Sequence, residues 1–475
     1  MGSSDDKAAR LASEDASGDA EYPEPAPRQR RYAGGPALES RTVSLKSTTP
    51  ILGGAPVPRQ VDTVDFIRVP TLRGHLRFWW RALYAHECRT SSELATRERA
   101  LWGGVGSDEG TRSRVELRVE VDHRSARKDP QLDIQMNEPG AYALWPARAT
   151  TRGEIKPAAP RWLPGLGFQL HLRAPAERMG EVENALRAWV LWGGYGSRAR
   201  RGLGGFTVTD ELPRWLPRDA SMEALRELFP GVALFGAPPE GGARQVPLLR
   251  GARLFRGQPQ SDGERAWIQA LKWLRDFRQG QPPGAGKGPA RAYAREWGDP
   301  KRPGRSNWPE PDYIRRLLEP SPTGKWAHPP RTQYSKGVAW ARGGFGLPIG
   351  IRFQDKDRTK VAYRDSEPGD VELRWHDGKA VRERLASPLI VKAMPLAKGG
   401  FVPIALWLCR AWPEKGTIVL LRKGQGQPQP VPGSHAPFGP LVAPGDTALF
   451  APLEAGNLQE AFFGWLKSHP GVREV

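Results

Sequence analysis

Residues 168–208 read FQLHLRAPAERMGEVENALRAWVLWGGYGSRARRGLGGFTV. From Phe168 to Arg173 apolar and polar residues alternate, the period-two mark of a half-buried strand. Between Glu177 and Trp192 the apolar residues Val182, Leu186, Trp189 and Val190 recur at helical spacing and form one stripe. A glycine-arginine loop follows, and Phe206 to Val208 reads as a last short strand. Upstream, Val43 and Leu45 alternate with polar residues from Thr42, and a Gly/Pro-rich loop runs through Thr49-Pro50-Ile51-Leu52-Gly53-Gly54. A helix is expected from about Leu72 and a strand over Arg114 to Val121. The resulting order, β-α-β-β-α-β, is that of a ferredoxin-like unit.

A second unit of the same kind can be assembled downstream. Its parts are a strand near Val246 to Phe255, a helix from Glu264 to Arg278, and strands at Leu347 to Phe353, Pro388 to Met394 and Phe401 to Cys409. A C-terminal helix closes it, with Leu458, Ala461, Phe462 and Trp465 spaced for one buried face. The sequence therefore predicts an α+β protein of two ferredoxin-like (RRM-like) domains, with loop and helical insertions. The expected divisions are a disordered tail over 1–41, a first domain over 42–215, and a second over 216–475 with a Pro/Gly/Arg-rich insertion at about 280–345.

Composition sets limits on function. The 475 residues carry 71 Lys+Arg against 52 Asp+Glu, a formal charge of +19, with arginine outnumbering lysine about three to one. Guanidinium favours bidentate phosphate contact and stacking on bases, so a nucleic acid is the leading partner class. A GC-rich genome, which writes Arg for Lys and enriches Gly and Pro, gives the same bias. The two cysteines, Cys88 and Cys409, lie in no disulfide or zinc spacing. A reducing cytoplasm fits them, and neither a signal peptide nor a membrane-spanning run is expected.

The loop at 195–206, Tyr-Gly-Ser-Arg-Ala-Arg-Arg-Gly-Leu-Gly-Gly-Phe, sets Arg198, Arg200 and Arg201 between glycines. Glycines there would let the backbone approach a sugar-phosphate chain; a solvated loop is the plain alternative. On the first helix, Arg73, Arg77 and Arg81 make a basic stripe opposite Leu72, Leu76, Trp79 and Leu83, with Gly74 in the first turn and Trp80 and Tyr84 flanking. The aromatic pair suits base stacking or packing against a partner. A GxxxxGK[ST] phosphate loop is absent, and the eight histidines follow no ligand spacing. No catalytic residue, metal ligand or cofactor is expected. Leu101-Trp102-Gly103-Gly104 and Leu191-Trp192-Gly193-Gly194 echo one another as helix ends.

At residues 62–81 the chain reads DTVDFIRVPTLRGHLRFWWR. This resembles the signature of the RAMP-superfamily subunit one of the type III-B CRISPR effector, the Cmr complex. The Thr49 to Gly54 loop, the Trp102-Gly-Gly helix end, the Gly-Ser-Arg-Ala-Arg-Arg-Gly-Leu-Gly loop, and the runs at 304–312, 346–349 and 386–389 agree in order, while His75 departs from the expected uncharged residue. The resemblance implies a non-catalytic subunit near the 3′ end of guide RNA, beside another RAMP subunit at the end of the backbone, that helps capture target RNA for antiviral defence. It carries RNA contact onto Arg68, Arg73, Arg77, Arg81, Arg198, Arg200 and Arg201, and less directly onto Lys336, Arg342 and Lys392. A metal-independent RAMP endoribonuclease with His75 or His86 as general base is the alternative. A third reading is a protein-binding scaffold with a Trp-rich docking surface.

Overall fold

The computed structural model describes residues 37–106, 110–129, 133–135, 138–150, 155–242, 244–278, 308, 310–318, 340–353, 367–413, 415–422, 428–431 and 457–475. From Leu38 onward they form one compact unit. Strand β1 (Leu38–Ser47) is followed by helices α1 (Val69–Tyr84) and α2 (Ser91–Trp102), strands β2 (Glu116–Asp122) and β3 (Gly167–Pro175), helix α3 (Met179–Trp192) and strand β4 (Phe206–Val208). The sheet order is β2-β3-β1-β4, antiparallel throughout. Two β-α-β crossovers interleaved in this way leave all helices on one face of the sheet.

β1 starts four residues before the expected Thr42, because Leu38 to Arg41 continue the ladder with β3 as far as the Leu38↔Pro175 pair. Helix α1 starts at Val69 rather than Leu72, with Pro70 in its first turn, so Gly74 falls in the second turn rather than the first.

A second sheet repeats the pattern. Strand β5 (Leu248–Arg256) leads into helix α4 (Gly263–Arg278). After helix α5 (Glu310–Leu317) and strands β6 (Ile349–Ile351) and β7 (Val371–His376) come β8 (Leu389–Pro395), β9 (Phe401–Cys409), β10 (Thr417–Arg422), helix α6 (Leu458–Lys467) and β11 (Arg473–Glu474). The order β8-β9-β5-β11 places its four strands as in the first sheet. The run at Leu347 to Phe353 is not part of this sheet. Its strand β6 pairs with β7, which pairs with β10, in a separate antiparallel sheet with its own core of Ile349, Leu373, Trp375, Ile418 and Leu420. Of the basic insertion expected at 280–345, only Trp308, 310–318 and 340–345 fall among the described residues.

The two main sheets differ in what covers them. Alternation in β2 and β3 leaves one face of the first sheet polar and open, where Thr42, His171 and Arg118 stand in register. β9 is almost continuously apolar and is buried along both faces. On one side Ile390, Met394, Ile404 and Leu406 share a core with Leu72, Leu76, Val182 and Leu186 of α1 and α3. On the other, Val391, Ala405 and Trp407 pack with Trp267 of α4 and Phe462 of α6. The result is four layers, sheet, helices, sheet, helices, with α1 and α3 buried between the two sheets. Among the described residues no helix is long and apolar enough to cross a membrane.

Candidate nucleic-acid interface

The glycine-arginine loop lies where these layers meet. It is tied to the Thr49 to Gly54 loop by backbone and side-chain bonds. Thr49 Oγ1 donates to Gly202 O at 2.7 Å and accepts from Gly205 N at 2.8 Å, Gly204 N donates to Pro50 O at 2.8 Å, and Ser197 N donates to Leu52 O at 2.6 Å. Tyr195, fully buried, accepts from Arg68 N at 2.9 Å and so joins the loop to the start of α1.

Packing within the protein explains its glycines. Gly204 has φ +63°, and a Cβ there would collide with the Tyr195 carbonyl; Gly202 has φ +80°, and a Cβ would strike the Trp267 ring. These positions are filled by the chain itself, so the expectation that their glycines admit a sugar-phosphate backbone is corrected. The two Leu-Trp-Gly-Gly helix ends also differ. Gly103 is left-handed at φ +72°, whereas Gly193 is extended at φ −92° and is confined by Trp189 and Trp79, 2.6 Å from where a Cβ would sit.

The expected arginines separate into three groups. Arg77 Nε and Arg81 Nη1 both donate to Glu98 Oε1 at 2.6 Å, and Arg68 lies 3.7 Å from Asp62; these cations already have carboxylates. Arg73 and Arg198 have no side-chain partner among the described hydrogen bonds and ion pairs, and Arg198 is exposed at the left-handed φ of +65°. Arg200 and Arg201 run along the seam between the halves. Arg200 donates to Ser387 O and lies 5.7 Å over Phe78. Arg201 donates to Tyr142 O at 3.5 Å and covers the Tyr142 ring at 4.9 Å. Burial, then the nearby Arg410 charge, lowers the Arg200 pKa to about 10; burial, with Arg198 and Arg278 adding repulsion, brings Arg201 to about 10. Both stay charged at neutral pH, with no carboxylate against them among the described residues.

Two second-half residues of the expected RNA set are engaged inside the protein. Lys392 is 1% exposed, and its Nζ donates to Val190 O and Gly193 O, each at 2.8 Å, at the C-terminus of α3. Burial lowers its pKa to about 7. Arg342 is paired with the fully buried Glu310 at 3.2 Å. In both cases the charge is spent inside the protein. Lys336 lies outside the described residues. The flanking aromatics are interior as well: Trp80 is fully buried and donates to Glu181 at 2.7 Å, while the Tyr84 hydroxyl accepts from Asn184 at 3.0 Å. His75 lies against Trp189 and Tyr195, with its pKa lowered by burial. Burial also lowers His86.

Sequence reasoning missed three arginines of the second half, Arg278, Arg384 and Arg410. Arg278 and Arg384 are close enough to Arg198 to repel its charge, and Arg410 does the same to Arg200. Arg410 Nη1 donates to Ala386 O at 3.0 Å, one residue from the carbonyl that Arg200 binds. No local pattern marks these residues, because only the layering brings them to the loop. The site is thus a cluster of like charges drawn from both halves. Among the described residues no three His, Cys, Asp or Glu side chains gather as metal ligands.

Cmr1 from Pyrococcus furiosus, in its apo crystal form, is similar at 16% identity over 80% of this chain and 94% of its own, with a TM-score of 0.42. A chain of a type III-B Cmr-beta complex bound to cognate target RNA and AMPPnP is similar at 12% identity over 77% and 94%, with a TM-score of 0.35. Cmr6 from Pyrococcus furiosus is similar at 9% identity over 36% and 99%, with a TM-score of 0.20. No curated protein sequence matches the chain. The family model of the RAMP superfamily matches residues 44–207, the span from β1 through the glycine-arginine loop to β4.

Proposed function

We propose that this chain is a non-catalytic RNA-binding subunit of a type III-B CRISPR (Cmr) ribonucleoprotein effector. It contacts the 3′ region of guide RNA and helps capture target RNA in the cytoplasm, alongside other RAMP subunits including its neighbour at the end of the backbone. One observation carries the reading: Arg198, Arg200 and Arg201, joined by Arg278, Arg384 and Arg410, concentrate positive charge at the glycine-arginine loop with no carboxylate against the loop arginines among the described residues. Like charges held together in this way favour a polyanion, whose binding releases counterions and falls with salt. The signature at residues 62–81 and the RAMP match supply the setting.

The test is photocross-linking in the assembled effector with guide RNAs labelled at one end. Cross-links to this chain from the 3′ region are expected, reduced in an Arg198→Ala/Arg384→Ala variant. Cross-links confined to the 5′ end would overturn the reading. So would specific cleavage of repeat RNA by the purified chain, abolished by His75→Ala.

A further inference from the structure

Beside the arginine cluster, the helical turn Ala141–Leu144 and the residues after it present aromatic rings that the RNA reading does not yet use. Ala141, Ala143 and Leu144 face inward and pack in the same core as Trp267 of α4. Tyr142 and Trp145, three residues apart and therefore on one side of the turn, stay half-buried, Tyr142 also packing by part of its ring against that core. Each carries a guanidinium. Arg201 lies 4.9 Å over Tyr142, and Arg148 lies 4.3 Å over Trp145.

The platform is held rigidly. Arg59 donates to Arg148 O at 3.0 Å, to Pro157 O at 2.7 Å and to Pro146 O. Gly140, left-handed at φ +78°, is pressed against the Trp267 ring, 2.5 Å from where a Cβ would be. That same indole donates to Arg201 O at 2.6 Å, so one side chain fixes both the aromatic turn and the arginine loop.

We infer that Tyr142 and Trp145, with Arg201 and Arg148 stacked on them, form a base-stacking site for single-stranded RNA whose phosphates run along Arg198, Arg278 and Arg384. The inference rests on the RNA-binding reading above and specifies the form of RNA. A ring or guanidinium plane can take a nucleobase only when that base is unpaired and unstacked, so a duplex offers it nothing. Planar groups beside cations that have no carboxylate partner among the described residues match the two surfaces of a single strand, bases and phosphates. A partner with acidic side chains would use the cations and leave the rings idle.

The test measures full-length protein against a short oligouridine, the same strand with abasic positions, and a blunt RNA duplex, each over a salt series. Wild type should bind the oligouridine about tenfold more tightly than the abasic strand or the duplex. Tyr142→Leu/Trp145→Leu should remove that difference and leave the salt slope unchanged, while Tyr142→Phe/Trp145→Phe keeps it. Equal wild-type binding of the normal and abasic strands would overturn the inference without any variant. Displacement of the oligouridine by polyglutamate at equal charge would also overturn it. If wild type binds no RNA with a salt-dependent affinity, the underlying RNA reading fails; a normal salt slope with no base dependence sinks the stacking site alone.

Discussion

Lys392 Nζ donates to the carbonyl of Gly193 at 2.8 Å, from the second sheet to the residue that ends α3 just ahead of the glycine-arginine loop. With its second bond to Val190 O, it caps α3 from outside that helix. In its protonated form the amine also meets the negative end of the helix dipole. The loop that carries the arginines is therefore anchored by the other half of the molecule.

The anchor has a pH signature. Lys392 titrates at about 7 in the folded state against 10.5 in a free chain. Between those values the unfolded state holds the extra proton, so this residue makes stability rise with pH across that window and fall as pH drops toward 7. Lys392→Met should lose that rise and, by leaving two carbonyls unpaired, cost about 1–3 kcal/mol. Denaturant midpoints of both proteins from pH 7 to 9.5 measure it; parallel curves would contradict it.

Glu98 neutralises Arg77 and Arg81 together, and it is 7% exposed. Glu98→Gln should cost about 1–2 kcal/mol, less than a fully buried pair because both arginines are about a third exposed. RNA affinity should hold or rise slightly as the two cations are released. Melting temperature and RNA titration on one preparation separate these effects.

Two glycines in the family-like motifs should respond in opposite ways. Gly204→Ala puts a methyl into the Tyr195 carbonyl at a positive φ and should cost several kcal/mol or prevent folding. Gly74→Ala meets nothing within 4 Å in an exposed helical turn and should stabilise by about 0.5–1 kcal/mol. Equal thermal shifts in the two variants would show that the loop packing is wrong.

Trp267→Phe keeps an aromatic ring in the second core and removes the donor to Arg201 O. The expected cost is about 1 kcal/mol in stability. Hydrogen exchange should quicken at Gly202 and Ala141, on either side of the indole, and stay unchanged in β2, which lies in the other sheet. Uniform acceleration would mean that Trp267 acts on the whole core rather than on the loop.

The sequence alone determined the local elements and the chemistry on offer. Periodicity gave α1 its buried Leu72, Leu76, Trp79 and Leu83, and β4 its bounds at Phe206 and Val208. The alternation of β3 and the continuous apolar run of β9 match a sheet open on one face and one covered on both, a difference seen once the layers are known. Tertiary structure decided what each charge is used for. Arg77 and Arg81 share a helix face with Arg73, yet Glu98 of α2 claims them and leaves Arg73 open. Lys392 reads as a basic residue in a strand, but the layer of α3 lies directly over it. The second-half arginines join the loop only because the two sheets enclose α1 and α3, a long-range packing choice that no period in the chain encodes.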